Sequence, residues 1–250
     1  MKTSLTTFSL ALALAAAPAV SSASPGPAAA AVFESNKHSL ATLVVTLKQN
    51  DNEKRAEIAA TTLDAEGTFA TSLTALEFGS NRPALNISIG PDGKLRRGTK
   101  PDFVSVALLV EGDEFDAEVT LKDPDRDIAI VQLKEGTEPP ELHAAGDAAA
   151  PPEILDDLVL LQKLPAKLNR ETIPTLAEVL AVIPRPRDLY VVSRGTPGSP
   201  AFDLEGKFVG VCTTSAGDPG GVTVNQNHLV VIPAATVTKL TTKAAESAAE

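Results

Sequence analysis

Histidine and cysteine, two residue types that commonly carry out catalysis, are few in this 250-residue chain, and they lie far apart along it. The histidines and the single cysteine are His38, His143, His228 and Cys212. One cysteine excludes an intrachain disulfide and a cysteine-based metal cluster. The wide spacing of the three histidines leaves little for a histidine metal site. We therefore expect neither a metal nor a cofactor.

Three aspartates, Asp123, Asp125 and Asp127, alternate as they do at the start of a calcium-binding loop. Such a loop requires glycine at its sixth place and glutamate at its twelfth. Those places hold Ile128 and Lys134, so calcium binding is rejected. Asp127 also opens a strand after a turn, where aspartate often caps the backbone locally. On residue types alone, its role is either structural or chemical.

The elements that must position these residues are mainly short strands. Stretches rich in Leu, Val and Thr recur between Pro- and Gly-rich turns, and one late helix is predicted from Pro233 to Lys243. Many short strands without regular helices between them indicate an all-β barrel or sandwich. The linker-like stretch 148–152 (A-A-A-P-P) divides the chain into halves of similar length. We expect two β units, residues 32–150 and 151–243, followed by a tail over 244–250.

The first residues have the order of a bacterial-type export signal. Lys2 is the only charge before Glu34, and an apolar run over residues 8–17 precedes small residues. That run is shorter than the roughly 20 residues that a bilayer span requires, and its order matches a cleavable signal peptide. We expect residues 1–31 to form a signal peptide and short leader, with a periplasmic or extracellular product.

Three passages of the remaining chain carry motifs in a defined order. They are residues 67–75 (G-T-F-A-T-S-L-T-A), 123–131 (D-P-D-R-D-I-A-I-V) and 195–211 (G-T-P-G-S-P-A-F-D-L-E-G-K-F-V-G-V). In order and spacing they resemble the trypsin-like serine proteases, most closely the bacterial HtrA (Do-like) branch. We do not expect the PDZ modules usual in that branch. The resemblance implies two antiparallel β-barrels with a cleft between them and a short C-terminal helix.

Carried over residue by residue, the resemblance implies an incomplete catalytic triad. The acid position is retained as Asp127, whereas Thr74 occupies the position of the general base and Pro197 that of the nucleophile. A triad needs all three roles. Thr74 cannot act as a base at neutral pH, and Pro197 has neither a nucleophilic atom nor the backbone N–H that helps form the oxyanion hole.

The same resemblance implies that Gly195, Gly198 and Ser199 line the binding cleft, and it leaves three functions open. The first is an exported pseudoprotease that binds protein or peptide in the cleft. The second is an active serine endopeptidase with an atypical nucleophile, Ser199 or Ser193. The third is a structural, envelope-associated module. A net charge of −10 argues against a nucleic-acid partner, and the sequence does not determine the oligomeric state.

Overall fold

The computed structural model describes residues 25–49, 52–79, 87–89, 95–97, 100–138, 140–214 and 228–248. Its helices are α1 (Gly26–Asn36), α2 (Leu73–Phe78) and α3 (Ala234–Ala248). Its strands are β1 (Leu40–Gln49), β2 (Asn52–Thr62), β3 (Thr68–Ser72), β4 (Ile87–Ile89), β5 (Leu95–Arg97), β6 (Asp102–Val110), β7 (Asp113–Asp123), β8 (Ile128–Leu133), β9 (Asp157–Lys163), β10 (Thr172–Ile183), β11 (Leu189–Val192), β12 (Pro200–Phe202), β13 (Phe208–Thr214) and β14 (Leu229–Pro233).

The strands form two closed antiparallel barrels of six strands each. The first has the order β1-β2-β3-β8-β7-β6, and the second has the order β10-β11-β14-β13-β12-β9. Strands β4 and β5 form a separate two-stranded sheet. The expected all-β fold with two trypsin-like barrels and a C-terminal helix is therefore confirmed.

Each barrel has its own apolar core, which follows from the alternation of side chains along a strand. In the first barrel, Leu43, Val45 and Phe69 are fully buried, and in the second barrel Leu160 and Val231 are fully buried. A third cluster joins the barrels. It combines Ala70, Ile128 and Ile130 with Val159, Phe202, Val211 and Ile232. Because this packing is continuous, residues on facing sides of the two barrels are held at defined positions.

The helix at the amino end was not expected from the sequence. Helix α1 packs on β9 and β10, and its Ala29 and Val32 are buried. The expected leader boundary at residue 31 therefore falls inside a helix that contributes to the core between the barrels. An alanine-rich stretch is compatible with a leader peptide and also with a helix, because alanine has the highest helix propensity.

The C-terminal helix begins one residue later than expected and extends five residues further, over Ala234–Ala248. Pro233 does not lie in its first turn, because this residue is the last of β14 and pairs with Gly210 on β13. Helix α3 buries Val237 and Ala244 against strands of both barrels. No helix in the described part of the chain is long and apolar enough to cross a membrane.

Candidate functional site

Asp127 lies at the junction of the two barrels, immediately before β8. The preceding turn is closed by Asp123, whose carboxylate accepts hydrogen bonds from the amides of Asp125 and Arg126 at 3.0 and 3.1 Å. Asp127 has a left-handed backbone conformation, with φ of 52°, which aspartate tolerates better than most residues. Its side chain is only 3% exposed. The turn thus directs a carboxylate into the interior.

Four hydrogen bonds occupy this carboxylate. Oδ1 accepts from the Thr74 amide at 2.6 Å. Oδ2 accepts from the Ser72 hydroxyl at 2.8 Å, the Thr214 amide at 3.1 Å and the Thr214 hydroxyl at 2.6 Å. A carboxylate offers about four acceptor positions. Oδ2 is therefore fully used within the fold, whereas Oδ1 accepts a single bond. The carboxylate connects β3 and α2 of the first barrel to β13 of the second.

Thr74 contacts Asp127 through its backbone and not through its side chain. It lies in the first turn of α2, whose N-cap is Ser72, with the Ser72 hydroxyl accepting from the Ala75 amide at 3.2 Å. The short helix thus presents its first amides to the carboxylate, an arrangement that the dipole of the amide groups favours. The Thr74 hydroxyl offers no base at this position.

Pro197 lies on the second barrel in a loop that contacts the first. It is buried, and the neighbouring Gly198 has a left-handed φ of 93°. A Cβ on Gly198 would come within 2.0 Å of the Ala59 carbonyl oxygen. The Gly198 amide donates to the Cys212 carbonyl at 2.7 Å, and its own carbonyl accepts from the Thr61 hydroxyl at 3.0 Å. Only glycine fits between the strands here, and its backbone polar groups are used within the fold.

The two alternative serine nucleophiles are both held by hydrogen bonds. Ser199 is fully buried, and its hydroxyl donates to the Thr196 carbonyl at 2.6 Å. Ser193 is exposed, and its hydroxyl accepts from the Glu178 amide at 2.9 Å. Within the described ranges, no histidine hydrogen-bonds to either serine, and His38 lies beside His143 with ring centroids 5.3 Å apart. The fold therefore supplies neither serine with an adjacent base.

Gly195 of the Pro197 loop packs closely against Cys212 of β13. Cys212 is fully buried, and burial together with the nearby Asp127 charge raises the pKa of its thiol to about 12. A Cβ on Gly195 would lie 2.9 Å from the Cys212 Sγ. The thiol is thus a packing group, since the reactive form is the thiolate.

Among the described residues, no group of three or more His, Cys, Asp or Glu side chains is placed to hold a metal ion.

A groove of about 740 Å³ runs between the barrels. Its walls come from β1, β2 and the β6–β7 turn on one side, and from the β9–β10 connection and Thr196 on the other. Arg170 crosses the groove and pairs with Glu57 through two hydrogen bonds of 2.6 and 2.9 Å. This ion pair lowers the pKa of the Glu57 carboxyl, chiefly through the hydrogen bond from Arg170.

Several residues of this region were not identified from the sequence. Ser72 and Thr214 are ordinary strand residues by type, and Glu57, Lys163 and Arg170 belong to passages without any motif. Of the residues expected at the site, Thr74 and Asp127 are brought into direct contact. Gly198, next to Pro197, meets strands β2 and β3 of the first barrel. Ser199 lies inside the loop and away from solvent.

Comparison with known proteins gives matches only at the level of structure. No protein-family model and no curated protein matches the sequence. The active form of the Rv3671c protease from M. tuberculosis superposes with a TM-score of 0.56 at 18% identity, covering 96% of this chain and 94% of that one. The inactive form of Rv3671c superposes with a TM-score of 0.53, also at 18% identity, covering 88% and 96%.

The HtrA-type protease AlgW, solved with a tripeptide, gives a TM-score of 0.56 at 15% identity. The match covers 86% of this chain but only 62% of AlgW. Identities this low carry information on fold and not on activity. With its two closed six-stranded barrels and C-terminal helix, the chain has the fold of the trypsin-like, HtrA-type serine proteases.

Proposed function

We propose that this protein is an exported, catalytically inactive relative of the trypsin-like proteases that binds an extended peptide in the groove between its barrels. The observation that carries the inactivity is the chemistry of the two residues at the base and nucleophile positions. Thr74 has no basic group and meets Asp127 through its backbone amide, and Pro197 is buried and has no nucleophilic oxygen. The Asp127 carboxylate accepts from Ser72, Thr74 and Thr214. In a working triad, the acid must orient a histidine. Here the acid holds the two barrels together instead.

Peptide binding is supported by the edge of β2 that faces the groove. Strand β2 pairs with β1 from Asn52 to Thr61, but its ladder with β3 includes only Thr61 and Thr62. In the described part of the sheet, residues 55–60 therefore have a ladder partner on one side only. Residues 58–60 are buried, and the Ala59 carbonyl accepts from the Thr71 hydroxyl at 2.7 Å, so the edge open to a peptide is residues 55–57. Residues 55–59 also line the groove. An extended peptide can add to such an edge through backbone hydrogen bonds, which need no triad.

The proposal of inactivity is tested by labelling with a fluorophosphonate. The wild-type protein is expected to show no labelling and no cleavage of casein, an unfolded protein. Labelling of the wild type that disappears in Ser199→Ala would establish an atypical nucleophile instead. Labelling that disappears in Ser193→Ala would establish Ser193 in the same way.

The binding proposal is tested with fluorescein-labelled casein and a variant that fills the groove. Ala166 lines the groove and is exposed, so Ala166→Trp is expected to weaken binding at least tenfold without unfolding the protein. The matched control is Ala245→Trp on the exposed face of α3, which is expected to bind as the wild type does. Equal binding by both variants, or no binding by the wild type, would exclude the groove as a peptide site.

Export is tested by the amino terminus of the native protein. Because Ala29 is buried within α1, we propose cleavage before Gly26, inside the signal peptide and leader expected over residues 1–31. Mass spectrometry of the exported protein is expected to find an N-terminus between Val20 and Gly26. An exported protein that retains Met1 would contradict the proposal, and one that begins at Val32 would show that α1 is dispensable.

A further inference from the structure

The positive side chains that line the groove outnumber the negative ones. The charged lining residues are Arg55, Glu57, Glu114, Lys163 and Arg170. Arg170 pairs with Glu57, and Arg55 pairs with Glu114. The remaining charge is the ammonium group of Lys163. The groove therefore has an excess of one positive charge, although the protein as a whole has a net charge of −10.

In the part of the chain that the structure describes, the ammonium group of Lys163 has no hydrogen bond and no ion pair. The acidic group that acts on it through space is Glu171. It is the last residue of β9, where it pairs with Thr172 and is half-buried. Loss of hydration lowers the pKa of its amine, and the Glu171 charge opposes this effect only in part. A half-buried ammonium group without a partner is unfavourable, so an anion placed beside it gains more than it would at an exposed lysine.

The position of Lys163 relative to β2 determines what kind of anion fits. Residues 55–59 form one wall of the groove and Lys163 the other, on the second barrel. A peptide that extends along β2 therefore presents one row of side chains, or its carboxyl end, toward Lys163. The groove is lined on both sides by backbone and aliphatic surface, including Val44, Ile58 and Leu164.

We propose that the peptide bound in the groove carries a carboxylate that pairs with Lys163, either from an Asp or Glu side chain or from the C-terminus. This inference rests on the proposed peptide-binding function and names the chemistry that the groove selects. The overall negative charge of the protein does not oppose it strongly, because charges more than about 8 Å apart are largely screened at physiological salt. The contact with Lys163 is short-range, and it confers selectivity.

The test uses a positional-scanning hexapeptide library with a fluorescent N-terminus, made once with free C-terminal carboxylates and once with C-terminal amides. Binding is followed by fluorescence polarisation. The wild type is expected to favour Asp and Glu over Asn and Gln at one position, or the free acid over the amide, by about tenfold, as for one charge-assisted hydrogen bond. The first outcome identifies a side-chain carboxylate and the second a C-terminal one.

Three variants test whether the preference for a carboxylate depends on Lys163. Lys163→Met is expected to abolish it, and Lys163→Arg is expected to retain it. The matched control is Lys167→Met, since Lys167 is exposed in the same β9–β10 connection and does not line the groove. Peptide binding by the wild type without any preference for an acid, or a preference that survives in Lys163→Met, would overturn the inference while leaving the peptide groove intact.

A second measurement separates the inference from the proposed function. Lysines are labelled by reductive ¹³C-dimethylation, which preserves their charge, and the Lys163 resonance is assigned from Lys163→Arg. Addition of N-acetylglycine, a small carboxylate, is expected to shift this resonance and to raise the pKa of Lys163, with no such change at Lys167. Absence of that shift overturns the inference. A shift without binding of any library peptide supports the anion site and excludes the peptide groove.

Discussion

Thr214 on the second barrel donates two hydrogen bonds to the carboxylate of Asp127 on the first, from its amide at 3.1 Å and its hydroxyl at 2.6 Å. The two residues are 87 positions apart in the chain. Thr213 adds a contact from its hydroxyl to the Arg126 carbonyl at 3.3 Å. The end of β13 is thus attached to the turn that precedes β8, and a residue type associated with catalysis stabilises the junction of the barrels.

Asp127→Asn is expected to lower the free energy of unfolding by about 3 kcal/mol. The side-chain NH₂ of Asn is itself a donor and would replace an oxygen that accepts hydrogen bonds. Hydrogen bonds to a charged, buried acceptor contribute about 1.5–3 kcal/mol each. Urea denaturation measures the change. Thr74→Ala is the matched control, because Thr74 bonds through its backbone, and a change below about 1 kcal/mol is expected. A neutral effect of Asp127→Asn would contradict the stabilising role.

Restoring a triad is expected to be more effective when one of the donors to Oδ2 of Asp127 is also removed. Pro197→Ser alone stays unreactive, since Thr74 offers no base. Thr74→His with Pro197→Ser is expected to react only weakly with a fluorophosphonate, because Ser72 and Thr214 keep Oδ2 occupied.

Adding Ser72→Ala to that pair of substitutions frees one acceptor position and is expected to increase the labelling rate. The substitution also removes the N-cap of α2, at a cost of about 1 kcal/mol. The rates are compared at equal folded fractions, determined by circular dichroism. Equal rates for the double and triple variants would show that occupancy of Asp127 is not the obstacle.

Gly198→Ala is expected to disrupt the contact between the barrels. The added Cβ would meet the Ala59 carbonyl at 2.0 Å, and the loss is expected to exceed about 3 kcal/mol because a backbone must move. Gly146→Ala is the control, since its φ of 84° is similar but nothing lies within 4 Å of the added atom. That control is expected to lose about 1 kcal/mol from the backbone strain alone. Similar losses in both would show that the barrels separate easily here.

The Glu57–Arg170 pair is expected to add a small pH-dependent contribution to stability. The pKa of Glu57 is lowered in the folded protein from its ordinary value of 4.5, mainly by the hydrogen bond from Arg170. The stabilisation is therefore complete above that value and is lost as the pH falls through the lowered pKa. Because both side chains are more than a third exposed, solvent screening keeps the effect small.

Arg170→Gln is the variant that measures this contribution. Its unfolding free energy is expected to lie below that of the wild type at pH 7, and the two curves are expected to converge as the pH falls through the lowered pKa of Glu57. Arg187→Gln, which removes an exposed pair with Asp125 elsewhere, serves as the control. A difference between the wild type and Arg170→Gln that stays constant from pH 7 to pH 3 would show that the carboxylate of Glu57 is not the group involved.

Much of the fold could be predicted because strand periodicity is a local property. The expectation of short strands between turns agrees with β6 and β7, which pair as a hairpin with Leu108 opposite Phe115. Helix α1 was missed because its run of alanines carries no amphipathic pattern, and its burial depends on β9 and β10, over 120 residues later. Pro233 was assigned to a helix because its place in a strand depends on pairing with Gly210.

The sequence by itself determined which chemistry is lacking. A threonine has no basic group and a proline has no nucleophilic oxygen, and no fold can supply either property to Thr74 or Pro197. Only the tertiary structure decided what Asp127 does instead, and which charged side chain of the groove has no partner among the residues that the structure describes. Those outcomes depend on the register and packing of strands from two barrels, which bring Thr214 to Asp127 and Arg170 to Glu57. Contacts between residues so distant in the chain are not encoded in any local pattern.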